Sequence, residues 1–273
     1  LMKEKTKFVL CGLGNIGSQV INSILNNHQD NLEVVAICSR NKEKAQKKIN
    51  DFNLKIPIIS ASETPNYAKV IVETATYESF REVVEPAIIS GCHVIAISVG
   101  ALVKNLDLID LANKHNSILQ IANGTLPGLD ILRSAKEGNV NTVKLKSKIL
   151  PESLEGEEYI ENNNIDLSKA NKEAVFIFSG SAREAAQHFP RHFNVAVSLS
   201  LAGIGLDKTQ IEVYADGTLK GALHKIIIKS DVVELEMTSQ NFPSSVNKRS
   251  SLIVAKSIIA ALREINSHIR IGS

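Results

Sequence analysis

Residues 7–40 hold the pattern that most limits what this chain can fold into. An apolar run, Phe8-Val9-Leu10-Cys11, leads into Gly12-Leu13-Gly14-Asn15-Ile16-Gly17. A segment of helical periodicity follows over 18–25, and a second apolar run, Val34-Val35-Ala36-Ile37-Cys38, closes the unit. The order is strand, glycine turn, helix, strand. In a dinucleotide-binding turn Gly12 permits the tight bend, Gly14 lets the backbone approach a pyrophosphate, and Gly17 lets helix and strand pack closely. Free N–H groups at the helix start, at Asn15 and Ile16, face the phosphates in such a turn. GxGxxG alone is a weak pattern, and such a turn can simply pack a helix on a sheet. Its position after a strand and before a helix is what points to a dinucleotide.

The end of the second strand bears on which dinucleotide. An Asp or Glu there holds the ribose 2′-OH of NAD. This chain reads Cys38-Ser39-Arg40-Asn41-Lys42, with no acid. Arg40 can stack on adenine and pair with a 2′-phosphate, Ser39 can hydrogen-bond it, and Lys42 adds positive charge. NADP is therefore favoured over NAD. The alternative is that Arg40 and Lys42 only solvate the start of the next helix, expected over 41–52.

The alternation continues. Strands are expected over 56–59, 70–74, 94–99 and 117–121, and helices over 77–90 and 106–115. This implies a doubly wound parallel sheet, a Rossmann domain over 1–122. Ligands bind beyond the carboxyl ends of such strands. That places Thr74-Ala75, Ser98-Val99-Gly100 and Asn123-Gly124-Thr125 along a cofactor crevice. After residue 122 the rhythm changes. A short helix over 129–137, strands over 143–150, 174–178, 211–215, 224–229 and 232–237, helices over 181–188 and 195–201, and a polar loop over 151–172 read as an α+β domain of mainly antiparallel sheet over 123–242. A long closing helix over 247–265 lies in a last segment, 243–273, expected to pack back toward the Rossmann domain, with a cleft between the two domains.

Composition excludes several classes. The 273 residues are 44% hydrophobic and 22% charged, with a net charge of +2 and no Trp, which gives neither a polyanion partner nor a stacking platform for nucleic acid. No apolar run reaches about 18 residues, so no membrane span is expected. The charged start over 1–7 does not read as a secretion signal. Cys11, Cys38 and Cys92 lie in or beside apolar runs without metal-type spacing, and read as buried thiols in a reducing compartment, the cytoplasm.

The densest polar cluster runs from Ser179-Gly180-Ser181-Ala182-Arg183-Glu184 to His188-Phe189-Pro190-Arg191-His192-Phe193-Asn194. A Gly-Ser turn opening a helix is a potential anion site, and Arg183 and Arg191 can hold a carboxylate in bidentate fashion. Ser181 with Glu184 three residues later is equally a capping box. His224 opens a strand, and a histidine facing a cleft can act as general base because its pKa lies near neutrality. A lone histidine is more often a packing residue. His28, His93, His115 and His268 read as surface or helix-end residues.

Three stretches resemble the L-aspartate dehydrogenases: Ile97-Ser98-Val99-Gly100-Ala101-Leu102; Phe178-Ser179-Gly180-Ser181-Ala182-Arg183-Glu184-Ala185 with Phe189-Pro190 and Asn194-Val195-Ala196; and Leu201-Ala202-Gly203-Ile204-Gly205-Leu206-Asp207-Lys208-Thr209. With the glycine turn, Pro243-Ser244-Ser245 and Asn247, the resemblance spans nearly the whole chain. It implies a Rossmann domain followed by an α+β domain that carries substrate and supports a homodimer. It implies oxidative deamination of L-aspartate to iminosuccinate with NAD or NADP, or the reverse, in NAD biosynthesis. Carried over by position, His224 is the catalytic histidine, Asn194 the asparagine at the nicotinamide, and Thr125 stands where the family has a small residue at the cofactor. Arg183, Ser181 and His192 are the expected substrate-binding residues. No metal is expected.

The chain departs from the family at Ala222, where Asn is expected, at Lys225, where Glu is expected, at Ala215-Asp216-Gly217, and at Asn247-Lys248-Arg249-Ser250-Ser251. These departures keep two alternatives open: an imine or amino-acid reductase for another dicarboxylate or keto acid, and a non-catalytic NADP-binding sensor. A semialdehyde dehydrogenase would need a nucleophilic cysteine in the second domain, where there is none.

Overall fold

The computed structural model describes residues 5–26, 31–190, 192–244 and 250–271. The first four residues, His28, Arg191, Ser245 and the Asn247-Lys248-Arg249 motif lie outside them. The chain forms two compact units, one of residues 1–124 with 254–270, the other of residues 125–253 with 271–273.

In the first unit β1 (Thr6–Cys11), α1 (Asn15–Leu25), β2 (Leu32–Cys38), α2 (Lys42–Asp51) and β3 (Ile58–Ile59) are followed by α3 (Thr64–Tyr67), β4 (Val70–Glu73), α4 (Phe80–Ile89), β5 (His93–Ala96), α5 (Asp107–Lys114) and β6 (Ile118–Ile121). All six strands are parallel, in the order β3-β2-β1-β4-β5-β6. The central strands are apolar on both faces because helices cover both sides. Phe8, Val9, Leu10 and Cys11 are fully buried, and burying each of the large ones contributes roughly 1.5–3 kcal/mol. Cys38 and Cys92 are buried free thiols as well.

Several boundaries differ from the sequence reading for physical reasons. The β5 strand stops at Ala96, not Val99, because the Ile97 and Ser98 N–H groups turn onto the Glu73 carboxylate. The segment over 61–67 is helical, started by a capping box between Ser60 and Glu63 and by Pro65 in the first turn of α3. His93 is not a surface residue: it opens β5, half-buried, with Nε2 2.7 Å from Gln120 Oε1.

The second unit contains α6 (Leu129–Ala135), β7 (Val140–Ile149), α7 (Pro151–Leu154), α8 (Glu158–Asn162), β8 (Val175–Ser181), α9 (Ala182–His188), α10 (Asn194–Ala202), β9 (Gln210–Ala215), β10 (Ala222–Ser230) and β11 (Glu234–Asn241). Its five-stranded sheet has the order β11-β10-β7-β9-β8. It is antiparallel except for the central pair, β7 and β9. The strands alternate. Val143, Leu145, Ser147 and Ile149 of β7 are buried, as are Ile211 and Val213 of β9 and His224, Ile226 and Ile228 of β10. The opposite face carries ion pairs: Lys144 and Lys146 on Glu212, Lys148 on Asp216, and Lys225 on Glu236. Tyr159, Phe178, His188, Phe189 and Phe193 form an aromatic cluster with ring centroids 4.7 to 6.5 Å apart.

The closing helix, α11 (Leu252–Ile265), starts later than the periodicity suggests, since Ser251 is still bridged to Pro243. From Val254 onward it belongs to the first unit, where Ala255, Ile258, Ile259 and Leu262 join the core of Phe8, Leu10, Val20 and Ile37.

Candidate active site

The parallel order reverses between β1 and β4, so the switch point lies where β1 runs into the glycine turn. Gly12 has φ +98°, and a Cβ there would lie 2.6 Å from the Thr74 carbonyl oxygen. A Cβ on Gly17 would collide with the Gly12 carbonyl. The Thr74 hydroxyl donates to Gly12 O at 2.7 Å, and Gly12 N–H donates to Cys38 O at 2.9 Å. α1 begins at Asn15 with no acidic residue in its first turn and no side-chain cap. The cradle is thus backbone, open at a helix N-terminus, and it fits a pyrophosphate.

Two residues outside the sequence reading complete this edge. Lys48 of α2 donates to Leu13 O at 2.7 Å and to Ser18 Oγ at 3.2 Å, fastening the turn from behind; burial lowers its pKa. Glu73, the last residue of β4, is wholly buried and accepts from Ala75 N at 2.8 Å, Ser98 N at 3.0 Å and Ile97 N at 3.3 Å. Burial pushes its pKa up to about 7, and the backbone donors work against that shift. A single charge ending the apolar run Val70-Ile71-Val72 was the available signal. The Ser98 hydroxyl donates to Ala75 O at 3.0 Å. Val99 and Gly100 are buried and open the turn over Val99–Lys104. At the tip of β2, Arg40 is exposed, the Ser39 hydroxyl donates to Asn41 O at 3.2 Å, and Asn41 caps α2.

In the second unit His224 lies on the buried face of β10, 5% exposed. Its cross-strand neighbours are Ser147 on β7 and Ser239 on β11. Nδ1 lies 3.0 Å from the Ser147 hydroxyl. Burial pushes the imidazole pKa down to about 4. The Ser239 hydroxyl donates to Thr125 O at 3.0 Å, and Asn241 Nδ2 donates to Ser239 Oγ at 3.1 Å. Thr125 Oγ1 is buried without a hydrogen-bond partner among the described residues, an acceptor and donor left for a ligand. Ser147 was legible only as a polar residue at the inward parity of Val143-Lys144-Leu145-Lys146-Ser147-Lys148-Ile149.

The sheet does not bring Ser181 and Arg183 to His224. Ser181 pairs with Gln210, Gln210 with Lys144, and Lys144 with Ile227. Three strand spacings put Ser181 roughly 14 Å away across the sheet alone. The capping box formed: Ser181 N–H and its hydroxyl both donate to Glu184 Oε2 at 2.7 Å, so the helix start already carries an anion. Arg183 makes a bidentate pair with Asp207 at 2.6 and 2.9 Å. His192 Nε2 lies 3.1 Å from Glu157 Oε1, with both side chains nearly buried. Asn194 opens α10, half-buried. Among the described residues no group of His, Cys, Asp and Glu is placed to hold a metal ion, and no helix is long and apolar enough to cross a membrane.

A six-stranded parallel sheet of this order, a glycine turn at its switch point and a second unit with a buried histidine define an NAD(P)-dependent dehydrogenase. Residues 130–265 match the model of the aspartate dehydrogenase C-terminal domain, and residues 12–122 that of the NAD-binding domain of homoserine dehydrogenase. The L-aspartate dehydrogenase of Bradyrhizobium diazoefficiens is 33% identical over 99% of this chain and 95% of its own length. L-aspartate dehydrogenase 3 of Bordetella bronchiseptica is 34% identical over 99% of both chains. The chain belongs to the L-aspartate dehydrogenase family, as its motifs suggest. The crystal structure of aspartate dehydrogenase from Thermotoga maritima shares the fold, with a TM-score of 0.75 at 22% identity over 98% of this chain and all of that one.

Proposed function

We propose that this protein oxidises the CH–NH2 group of L-aspartate to iminosuccinate with NAD(P), or runs the reverse reaction from oxaloacetate and ammonia. The observation that carries the reading is His224, a buried imidazole held through one nitrogen by Ser147, in a chain whose full-length relatives are named L-aspartate dehydrogenases. The bound dinucleotide supplies the hydride acceptor or donor. His224 handles the proton. Base work needs the lone pair on Nε2, which is present when Nδ1–H donates to the Ser147 hydroxyl. Nε2 then takes a proton from the substrate's ammonium group, or returns it in the reverse direction. Burial pushes the ring's pKa down to about 4, which keeps it neutral at pH 7 with that lone pair free.

Gly12, Gly14, Asn15, Ile16 and Gly17, with the Thr74-Ala75 and Ser98-Val99-Gly100 loops, are assigned to the dinucleotide. Thr125, with its unmatched hydroxyl, and Asn194 are assigned to it as well. Ser39 and Arg40, in the run Cys38-Ser39-Arg40-Asn41-Lys42 that holds no acid, favour NADP. The same reading makes the enzyme a cytoplasmic homodimer. The open face of the second sheet, where Phe176 is 54% exposed and stacks edge-on with Tyr214, is the surface offered for pairing. Sedimentation of the purified chain checks that state.

The deciding assay follows NADPH and NADH oxidation with oxaloacetate and ammonia, beside other keto acids. Turnover highest with oxaloacetate is expected. Turnover with a different keto acid moves the substrate; dinucleotide binding with no turnover favours the sensor, a reading kept alive by Ala222 and Lys225 beside His224.

A further inference from the structure

Glu73 sits at the carboxyl edge of the parallel sheet, beside the strand that runs into the glycine turn. It ends β4 in register with Cys11 on β1, one residue before the glycine turn, and with Ala96 on β5. A carboxylate with no exposed surface is costly unless its oxygens are matched. Here each oxygen serves a different loop. Oε1 takes the Ala75 N–H, and Oε2 takes those of Ile97 and Ser98. The Ser98 hydroxyl on Ala75 O closes the link from the other side. One side chain therefore ties the ends of β4 and β5 together, beyond the carboxyl edge where dinucleotides bind in such sheets.

We propose that Glu73 is a positioning residue for the dinucleotide: its ionised carboxylate fixes the Ala75 and Ser98 loops at the spacing the cofactor meets, and dinucleotide affinity falls when that charge is lost. This rests on the dinucleotide reading of the first unit. A protonated carboxyl puts an O–H against one of the backbone N–H groups, so one loop is released. A glutamine does the same permanently with its NH2. An aspartate keeps the charge but is one methylene too short to reach both loops. Burial places the titration near pH 7. The titratable neighbour that feels this charge is the Cys11 thiol on β1, itself raised well above its ordinary value, mainly by Cys38. The groups facing it from β5 and its loop, Ala96, Ile97 and Ser98, and Thr74 on its own strand end, are neutral.

The experiment is direct binding of NADH and NADPH to the full chain between about pH 5.5 and about pH 8.5, for the wild type, Glu73→Gln and Glu73→Asp. NADH is the reference arm because the 2′-phosphate of NADPH itself titrates at about pH 6. The wild-type Kd for NADH is expected to rise about tenfold on acidification, the size of a lost charged hydrogen bond. Glu73→Gln is expected to be about tenfold weaker at pH 8 with a flat profile, and Glu73→Asp weaker but still pH-dependent. Wild-type binding that does not change with pH, or a Glu73→Gln protein within about twofold of the wild type throughout, overturns the assignment. If Glu73→Gln does not fold, the wild-type and Glu73→Asp profiles decide alone. A wild type that binds neither dinucleotide at any pH overturns the cofactor reading, and the assignment with it.

Discussion

The glycine turn and the His224 row are built in opposite ways. The turn is continuous backbone. Its geometry comes from residues that have no side chain, and its chemistry from N–H groups that any sequence owns. The His224 row is made of side chains carried on three strands: Ser147, His224 and Ser239, with Thr125 tied on from outside the sheet. The first kind of site tolerates little change in shape. The second tolerates little change in residue identity. Binding and chemistry should therefore separate when the two are mutated. His224→Ala should lower kcat by about a thousandfold, the range of a lost general acid–base, with cofactor Kd unchanged. Stopped-flow single-turnover measurements beside equilibrium binding test this. Full kcat in His224→Ala would remove the imidazole from the mechanism, and a large loss of dinucleotide affinity would blur the division of labour.

The two regions also carry buried titrating groups whose shifts have opposite signs. The Glu73 carboxyl is raised from 4.5 to about 7 on folding. The folded state holds its proton where the unfolded chain has released it, so this group's contribution to stability declines as pH rises from 4.5 to 7. The His224 imidazole is depressed from 6.5 to about 4. Its contribution is fully present above 6.5 and is lost as pH falls toward 4. Each window is worth up to about 3 kcal/mol at about 1.4 kcal/mol per pH unit, and between 4.5 and 6.5 the two offset each other. Urea unfolding should expose this. Relative to the wild type, Glu73→Gln should lose stability on acidification through that window, and His224→Gln should lose it on alkalinisation. Parallel curves for all three proteins would mean that neither group is buried as an ionisable side chain. If the units melt separately, each slope should follow its own transition.

The same contrast explains what could be read from the sequence. Gly12, Gly14 and Gly17 are adjacent, so their pattern is visible without knowing the fold. Alternation of apolar runs with helical segments gave the parallel sheet, because strands buried on both faces are unbroken runs. Ser147 and His224 are 77 residues apart and become partners only through the β7–β10 register. Glu73 showed only as one charge ending an apolar run, because the N–H groups of Ala75, Ile97 and Ser98 that hold it leave no trace in residue choice. Arg40 lies between these cases, legible but untethered. Arg40→Asp should shift the ratio of kcat/KM for NADPH over NADH by about tenfold toward NADH, one charged hydrogen bond to a 2′-phosphate. An unchanged ratio would leave Arg40 as a solvated helix start.

The smallest expected effect is the sharpest test of the contrast, because sequence and structure pull apart there. Arg183 follows a Gly-Ser turn in the longest family motif, and by sequence it is a carboxylate clamp. In the fold its Nε and Nη2 face Asp207, at 2.6 and 2.9 Å, and it lies at the start of α9 beyond the edge strand. The pair is open to solvent, with side-chain exposures of 35% and 70%, where screening leaves ion pairs little energy. The helix start beside it is already neutralised by Glu184. Arg183→Ala should thus change kcat/KM for the substrate by less than about threefold, and the double variant with Asp207→Ala by no more than the single. A large rise in KM alone, rescued by lysine, would mean that Arg183 leaves Asp207 when substrate binds, and the second unit would then hold a side-chain site as compact in sequence as the glycine turn of the first.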